Sequence, residues 1–181
     1  MAQWRREGLA VGWAEVIADA AQEPVGAVID LDDPRLSAPG DMPQAVADYC
    51  RATGQPIPDI PPAIAATLLH SLALEHRLDV ETLGRVTGRR FSAIRMVGGG
   101  SANALLCQLS ADATGRPAIA GPTEATAAGN VLTQARALGL IAASDVPAII
   151  ERSFPPVCYE PRGDLDVALV ERHRRLKEAH A

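Results

Sequence analysis

Aromatic residues are scarce in this sequence, and their scarcity limits the kind of core that the chain can build. Phe, Trp and Tyr together make up 3% of its 181 residues. The hydrophobic content of 48% is still enough for a chain of this length to bury a core. We therefore expect one modest α/β domain whose core consists of Ala, Leu, Val and Ile side chains.

Cysteine and histidine are also scarce, and their spacing argues against a metal centre. Cys50, Cys107 and Cys158 lie far apart, without a Cys-x-x-Cys pair or a nearby set of histidines. We predict no metal site built from protein ligands alone. His70 and His76 fall on one predicted helix, where a lone histidine is usually a packing or surface residue, so we assign neither a chemical role.

The sequence lacks an excess of positive charge and any long apolar run. A net charge of −5 argues against nucleic acid or an anionic membrane as the main partner. Glu15, Asp19 and Gln22 interrupt the apolar residues near the N-terminus. This pattern predicts neither a signal peptide nor a membrane span, and we expect a cytoplasmic protein.

The most informative stretch is a strand that leads through glycines into a helix. An apolar run over 91–97 meets glycines at 98–100, and a helical pattern follows that we predict to start at a Ser101 cap and to end at Gly115. Glycines let a ligand approach the backbone, and free amides at a helix start attract negative charge, which predicts phosphate or a nucleotide. A tight turn without a ligand explains the same residues, and both interpretations stay open here.

A second strand and helix repeat this order. The apolar run over 117–120 precedes Gly121 and Pro122, and a helix rich in small residues is predicted to start at a Thr123 cap and to end at Leu138 and Gly139. The stretch therefore reads β-α-β-α.

The rest of the chain is predicted to be mainly helical. The longest helix is expected to pack against the sheet, and the charged C-terminal helix is expected to present a solvated face. The predicted helices cover 2–21, 43–53, 63–88, 145–152 with a Ser144 cap, and 164–180, and a short strand is predicted over 25–31.

Three carboxylates, Asp30, Asp32 and Asp33, stand close to Pro34. Paired carboxylates are compatible with metal binding or acid–base catalysis, but Asp-Asp-Pro is also typical of a turn. We favour the turn and assign these residues no chemistry.

Several separated motifs resemble the C-terminal domain of the FGGY carbohydrate kinases, and within that family its rhamnulokinase branch. The resemblance implies an actin-like, ribonuclease-H-like ATPase fold of the α/β class. It implies the C-terminal half of a two-domain sugar kinase, without its first strands, over 1–163, and a charged helix over 164–181. The motifs run from about Trp4 to about Arg162 and include Cys50-Arg51, Gln55-Pro56-Ile57-Pro58, Ser71-Leu72-Ala73-Leu74, Gly98 to Asn103, Leu105-Leu106, Gln108, Ala111-Asp112, Gly115-Arg116-Pro117, Ala120-Gly121-Pro122, Glu124 to Ala127 and Gly129-Asn130.

The same resemblance implies a nucleotide site. The family's adenosine contacts carry over to Gly99 and Asn103, while Gly98, Gly100 and Ser101 would shape the turn. Gly99 offers a backbone amide without a Cβ, and Asn103, placed one turn into the helix, offers a side-chain amide to the base. The resemblance thus implies an adenine nucleotide as partner, ATP with Mg²⁺ as cofactors, and a sugar substrate in the complete enzyme.

Two motifs of this family are absent from the sequence. One is an Asp-x-Gly phosphate loop, and the other is a Gly-Thr-His-Asp-Thr-like stretch that carries the catalytic aspartate; none of the four histidines is followed by Asp-Thr. Phosphoryl transfer needs a base and a positioned γ-phosphate. We therefore expect no catalytic residue and no activity in this chain alone, with Met1 an internal methionine of a longer kinase.

Two other functions stay open. Gly98-x-Gly100-x-x-Asn103 imitates a dinucleotide-binding fingerprint, with Asn103 in place of the third glycine. The other alternative is a non-catalytic remnant or interaction protein that keeps the fold. In every case we expect self-association, because a strand edge at 94–97 and the apolar face of the first helix would be exposed.

Overall fold

A computed structural model describes residues 12–37, 40–163 and 166–180. These residues form two compact units, 12–78 with 166–180, and 79–163. The predicted first helix lies partly before residue 12, outside the described residues. The helices are α1 (Trp13–Ala20), α2 (Pro34–Ser37), α3 (Met42–Ala52), α4 (Pro61–Thr87), α5 (Ala104–Thr114), α6 (Ala125–Ala137), α7 (Val146–Ser153) and α8 (Val167–His180), the strands are β1 (Ile94–Met96), β2 (Ala118–Ala120) and β3 (Val157–Tyr159), and the 3₁₀ turns are Gly99–Ala102 and Ala143–Asp145.

An extended segment over 24–30, rather than a strand, runs through the core of the first unit. The prediction of a strand over 25–31 is therefore wrong. The segment is extended, but among the described residues no neighbouring strand pairs with it in a sheet. Buried backbone groups need partners, and here side chains from the surrounding helices and loops supply them. The amides of Val28, Ile29 and Asp30 donate to Gln55 Oε1 at 3.0 Å, Ser71 Oγ at 2.9 Å and the Tyr49 hydroxyl oxygen at 3.1 Å.

The core around this segment is not purely aliphatic. Tyr49 on α3 is completely buried beside Ile29 and Val46, which corrects the expectation of a core without aromatic residues. Burial is tolerated because the Tyr49 hydroxyl accepts the Asp30 amide, so the polar end of the ring keeps a partner.

Helix α4 has the predicted length, and its buried part packs against the extended segment of the first unit. Leu74 clusters with Val28, and the Ser71 hydroxyl accepts the Ile29 amide. Farther along the helix, Leu83 and Val86 are exposed, although their spacing marks them as apolar positions. The expected packing of this helix against the sheet stays a prediction.

Helix α8 is amphipathic, which corrects the expectation that it presents only a solvated face. Leu169, Val170 and His173 are buried, and the first two belong to one hydrophobic cluster with Val28. Their helical spacing places them on one side, with charged residues on the other. The helix is thus a structural part of the first unit.

The carboxylates near Pro34 form a turn, as predicted. Asp32 donates its backbone amide to Asp30 Oδ1 at 3.0 Å, and Arg35 donates its backbone amide to Asp33 Oδ1 at 2.9 Å. Lys177 Nζ from α8 donates to both Asp30 and Asp32. These side chains are therefore used for local structure and for holding α8.

The second unit contains the predicted β-α-β-α order. Its sheet has the order β1-β2-β3, in which β1 is parallel to β2 and β2 is antiparallel to β3. Helix α5 connects the two parallel strands and packs on β2 and β3. Gly115 ends α5 in the left-handed conformation at φ 63°, as predicted from its position.

The helix caps in this unit differ from the prediction. Asn103, not Ser101, caps α5, and Glu124 rather than Thr123 occupies the N-cap position of α6. Ser144 lies inside the 3₁₀ turn that precedes α7.

In the part of the chain that is described, no helix is long and apolar enough to cross a membrane.

Candidate functional site

The candidate site lies where β1 and β2 end in the second unit. The carboxyl ends of parallel strands share one edge of a sheet, which is where α/β domains commonly bind ligands. Gly121 donates its amide to the Met96 carbonyl oxygen at 2.8 Å, and Gly98 donates its amide to the Pro122 carbonyl oxygen at 2.9 Å. The turn that follows β1 is thus bonded directly to the turn that follows β2.

The Ser101 hydroxyl fastens these two turns a second time. Its Oγ is 2.7 Å from the Gly98 carbonyl oxygen and 3.0 Å from the Gly121 carbonyl oxygen, and the side chain is buried. Ser101 lies inside the 3₁₀ turn, two residues before the N-cap of α5, so it does not cap the helix. The two turns are thus joined by backbone and side-chain hydrogen bonds.

The three glycines of the turn differ in whether the structure requires them. Gly98 has φ 77° and ψ −163°, a conformation that is essentially restricted to glycine. A Cβ on Gly100 would make ordinary contact with Leu106 at 3.7 Å, whereas a Cβ on Gly99 would meet nothing within 4 Å. A tight turn therefore explains Gly98, but neither packing nor φ explains Gly99, which faces open space.

Two backbone amides of the turn are available to a ligand. Gly99 and Gly100 are exposed, and within the described residues their N–H groups have no hydrogen-bond acceptor. They open the 3₁₀ turn, where the first amides lack partners within the turn itself. Exposed donors of this kind suit a phosphate or another polar acceptor.

Asn103 stands at the junction of the turn and α5. Its Oδ1 accepts the Leu106 amide at 3.1 Å, and its own amide donates to the Gly100 carbonyl oxygen at 3.1 Å. The predicted position one turn into the helix is therefore wrong, since Asn103 precedes α5 as its cap. The side chain is half-buried, and its Nδ2 bonds to no other described residue.

The Gly121-Pro122 turn is the part of the site that the sequence indicated least clearly. A Cβ on Gly121 would lie 3.3 Å from Val97 Cγ1, which is closer than an ordinary contact. The Pro122 carbonyl accepts the Gly98 amide of the glycine turn, and the Gly121 amide donates to Met96 at the end of β1. The only sequence signal for this role is a Gly-Pro pair directly after a strand.

Metal ligands and His70 were also considered as candidates for a functional site. Among the described residues, no group of three or more His, Cys, Asp or Glu side chains could hold a metal ion. His70 belongs to the first unit, where burial lowers the pKa of its imidazole below the ordinary value. Nothing in its surroundings gives it a chemical role.

Beyond the site, α6 and α7 enclose an apolar groove of about 360 Å³ that begins at Glu124. Helix α6 has no buried residue along its 13 positions, and Val131 within it and Leu138 directly after it are exposed. Ile149, Ile150 and Phe154 line the opposite wall. The second unit therefore carries an exposed apolar surface that the sequence had not indicated.

Residues 1–138 match the C-terminal domain of the FGGY family of carbohydrate kinases. The chain belongs to this family. It is 40% identical over 168 residues to the rhamnulokinase of Bacteroides thetaiotaomicron, in an alignment that covers 88% of this chain and 34% of that protein. The rhamnulokinase of Enterococcus faecalis is 39% identical over 162 residues, covering 86% of this chain and 32% of that protein.

A solved structure agrees with the family assignment at the level of the fold. The xylulose kinase from Rhodospirillum rubrum superposes with a TM-score of 0.51 at 20% identity, covering 92% of this chain and 32% of that one. The expected α/β, actin-like ATPase class of fold is thereby confirmed. The chain spans about a third of the length of the curated relatives it matches.

Proposed function

We propose that this chain is the ATP-side domain of a rhamnulokinase-like sugar kinase. The complete enzyme would transfer the γ-phosphate of ATP to the 1-hydroxyl of L-rhamnulose in the cytoplasm, giving ADP and L-rhamnulose 1-phosphate. The observation that carries the proposal is the open face of Gly99, whose glycine neither packing nor φ requires. A nucleotide that lies against the backbone there would explain it.

Each residue of the turn has a place in this proposal. The exposed amides of Gly99 and Gly100 would donate to the nucleotide, and Asn103 would face its base. Gly98 and Ser101 would hold the turn in shape, because they supply its unusual backbone conformation and its bonds to the Gly121-Pro122 turn. Glu124 has a structural position at the start of α6.

The chain alone is proposed to be inactive. ATP would supply the phosphoryl group, but the sequence contains neither the family's phosphate loop nor a histidine followed by Asp-Thr, so no residue here is assigned as catalytic base. Among the described residues no group of three or more His, Cys, Asp or Glu side chains could hold a metal ion, and we assign no protein ligand to the Mg²⁺ that accompanies ATP. We propose 1–163 as the kinase domain and 164–181 as a charged C-terminal helix that packs on its first unit.

Because the phosphate loop and the catalytic stretch are absent from the sequence, one alternative function stays open. The chain would then be a non-catalytic remnant or an interaction protein with the same fold. The dinucleotide-binding module has less support. The third glycine of that fingerprint allows close helix packing, whereas Asn103 uses its side chain to cap α5.

Nucleotide binding is tested by substitution at Gly99. Titration with ADP should shift the amide resonances of 98–103, with an affinity nearer ~1 mM than ~1 μM because half a cleft supplies part of the contacts. Gly99→Val should abolish these shifts and leave the fold intact, since the new side chain points into open space. Gly129→Val is the matched control, because Gly129 is also exposed, in the same unit and without close neighbours. Shifts confined to other residues would contradict the assignment.

Activity is tested by a coupled assay of ADP release with L-rhamnulose, ATP and Mg²⁺. We expect no turnover above a blank without protein, because the base and the γ-phosphate cradle are missing from the chain. Turnover that copurifies with this chain, and that Gly99→Val removes, would contradict the proposed inactivity.

A further inference from the structure

We infer that the outer edge of β1 pairs with the same edge of a second copy of this chain. The two strands run antiparallel and are related by a two-fold axis at Met96. Such an interface is independent of the proposed nucleotide site. It follows from the backbone groups that β1 leaves unused, from the residues at the other edge of the sheet, and from the side chains that the pairing brings together.

Two residues of β1 and its end direct their backbone groups away from the sheet. The Ile94 amide and the Met96 carbonyl oxygen bond toward β2, at 2.9 Å and 2.8 Å. Successive residues of a strand point their N–H and C=O groups to opposite sides, so those of Arg95 and Val97 face outward. The order β1-β2-β3 places no described strand on that side. An edge of this kind is a template for another strand.

The opposite edge of the sheet, on β3, is protected by prolines. Tyr159 and Val157 oppose residues 118 and 120 of β2, so Cys158 between them faces outward. The next outward position before it is Pro156, which has no N–H to donate, and Pro161 follows shortly after the strand. No proline lies between positions 88 and 98 beside β1. Only the β1 edge of the described sheet is therefore open, and pairing closes at two copies.

The side chains select the register of the pair. When the axis lies at Met96, Arg95 of each copy is opposite Val97 of the other, and each of these two pairs exchanges two N–H···O bonds. An axis at Arg95 would place like charges directly opposite each other, which destabilises a sheet. An axis at Val97 would oppose Arg95 to Gly99, which belongs to the 3₁₀ turn instead of the strand.

The chosen register also covers apolar surface. Val97 is 58% exposed in the single chain. In the pair, the aliphatic stem of the opposite Arg95 can lie along it while the guanidinium group stays in water. The interface is thus the same patch on both copies, as a closed two-fold dimer requires.

Disulfide trapping tests the register. Met96 occupies a non-hydrogen-bonded position, where opposite Cα atoms lie about 4.5 Å apart, within the range of a disulfide. A Cys158→Ser background removes the exposed thiol and leaves Cys50 and Cys107, which are buried. In that background Met96→Cys should form a covalent dimer on mild oxidation. Val157→Cys, at the protected edge, is the matched control and should stay monomeric, although Val157 is the more exposed residue.

Hydrogen exchange measured by NMR tests the bonds without a substitution. Raising the concentration from ~50 μM to ~1 mM should slow exchange of the Arg95 and Val97 amides and leave the Cys158 amide unchanged. Arg95→Pro removes only an outward N–H, which an edge strand tolerates. It should raise the dissociation constant of the dimer by at least about tenfold, because two of the four bonds are lost. Circular dichroism checks that this variant stays folded.

Several results would overturn the inference. One is a chain that light scattering shows to be monomeric at ~100 μM. Another is a dimer in which Met96→Cys does not crosslink or in which the outward amides of β1 exchange at the same rate at both concentrations. Equal crosslinking of Val157→Cys would show that the β3 edge is used instead and would overturn it as well.

Discussion

Replacing Lys177 by methionine should destabilise the first unit by about 2–3 kcal/mol. Lys177 lies on α8, and its Nζ is 3.0 Å from Asp30 Oδ1 and 3.0 Å from Glu75 Oε1. It also contacts the exposed carboxylate of Asp32. One ammonium group therefore forms ion pairs with carboxylates of the extended segment, of the turn that follows it and of α4.

The magnitude follows from the burial of Asp30. Its side chain is 2% exposed, and removing the partner of a buried charge typically costs about 3–5 kcal/mol. The cost here should be smaller, because Lys177 is itself 23% exposed and Asp30 keeps the Asp32 amide. The contact with Asp32 adds at most about 1 kcal/mol, since that carboxylate is 85% exposed. Methionine retains the apolar stem, so the loss reports the charge.

Urea unfolding followed by circular dichroism measures this loss, and the slope of the transition checks that the same surface unfolds. Arg51→Met is the matched control. It removes one positive charge from an exposed pair with Asp48, and we expect less than about 0.5 kcal/mol from it. Equal effects of the two substitutions, or a Lys177→Met loss below about 0.5 kcal/mol, would refute the assignment of a buried charge partner.

The same cluster gives stability a dependence on acid pH. Burial alone would raise the pKa of Glu75, but Lys177 and His173 Nε2, 3.3 Å away, lower it below its ordinary value. Stability from a lowered pKa is complete above the unfolded value of about 4.3 and is lost as the pH falls through the folded value. Unfolding measured between about pH 5 and pH 2 should therefore show a smaller loss in Lys177→Met. A loss equal to that of the unaltered chain would contradict this.

Two further predictions concern the turn and the surface. Gly98→Ala should cost about 1–3 kcal/mol in urea unfolding because of its φ of 77°, whereas Gly99→Ala should cost little; equal costs would contradict the account of the turn. Self-association should appear in light scattering across a concentration series, because apolar surface is exposed at Trp13, Val97 and Leu138. Val131→Glu should weaken it if the α6–α7 groove contributes, because Val131 lines that groove, and a strict monomer at ~100 μM would contradict the prediction.

The local order of the second unit could be predicted because it depends on short-range chemistry. A strand that meets glycines, a helix that ends at a left-handed Gly115, and a second strand before a Gly-Pro pair are each specified within a few residues. These local features predict the β-α-β-α order and the position of the glycine turn. The family motifs added the fold class.

The packing of the first unit could not be predicted, because it depends on residues that are distant in sequence. The extended segment reads as a strand by its composition, yet Gln55, Ser71 and Tyr49 satisfy its amides. The charges of α8 likewise read as a solvated face until Lys177 is found against Asp30, 147 residues away in the sequence. No local pattern encodes such pairings.

The caps show why the local structure of the candidate site was predicted incompletely. Ser101 and Asn103 are both good cap residues, so propensity alone could not choose between them. The choice follows from position, because Ser101 lies inside the 3₁₀ turn Gly99–Ala102, whereas Asn103 directly precedes the first residue of α5 and its Oδ1 accepts the Leu106 amide. The Ser101 hydroxyl lies within hydrogen-bond distance of the Gly121 carbonyl oxygen, 20 residues away in the sequence. A contact at that separation cannot be inferred from cap propensities, so the 3₁₀ turn that shifts the helix start by two residues was missed.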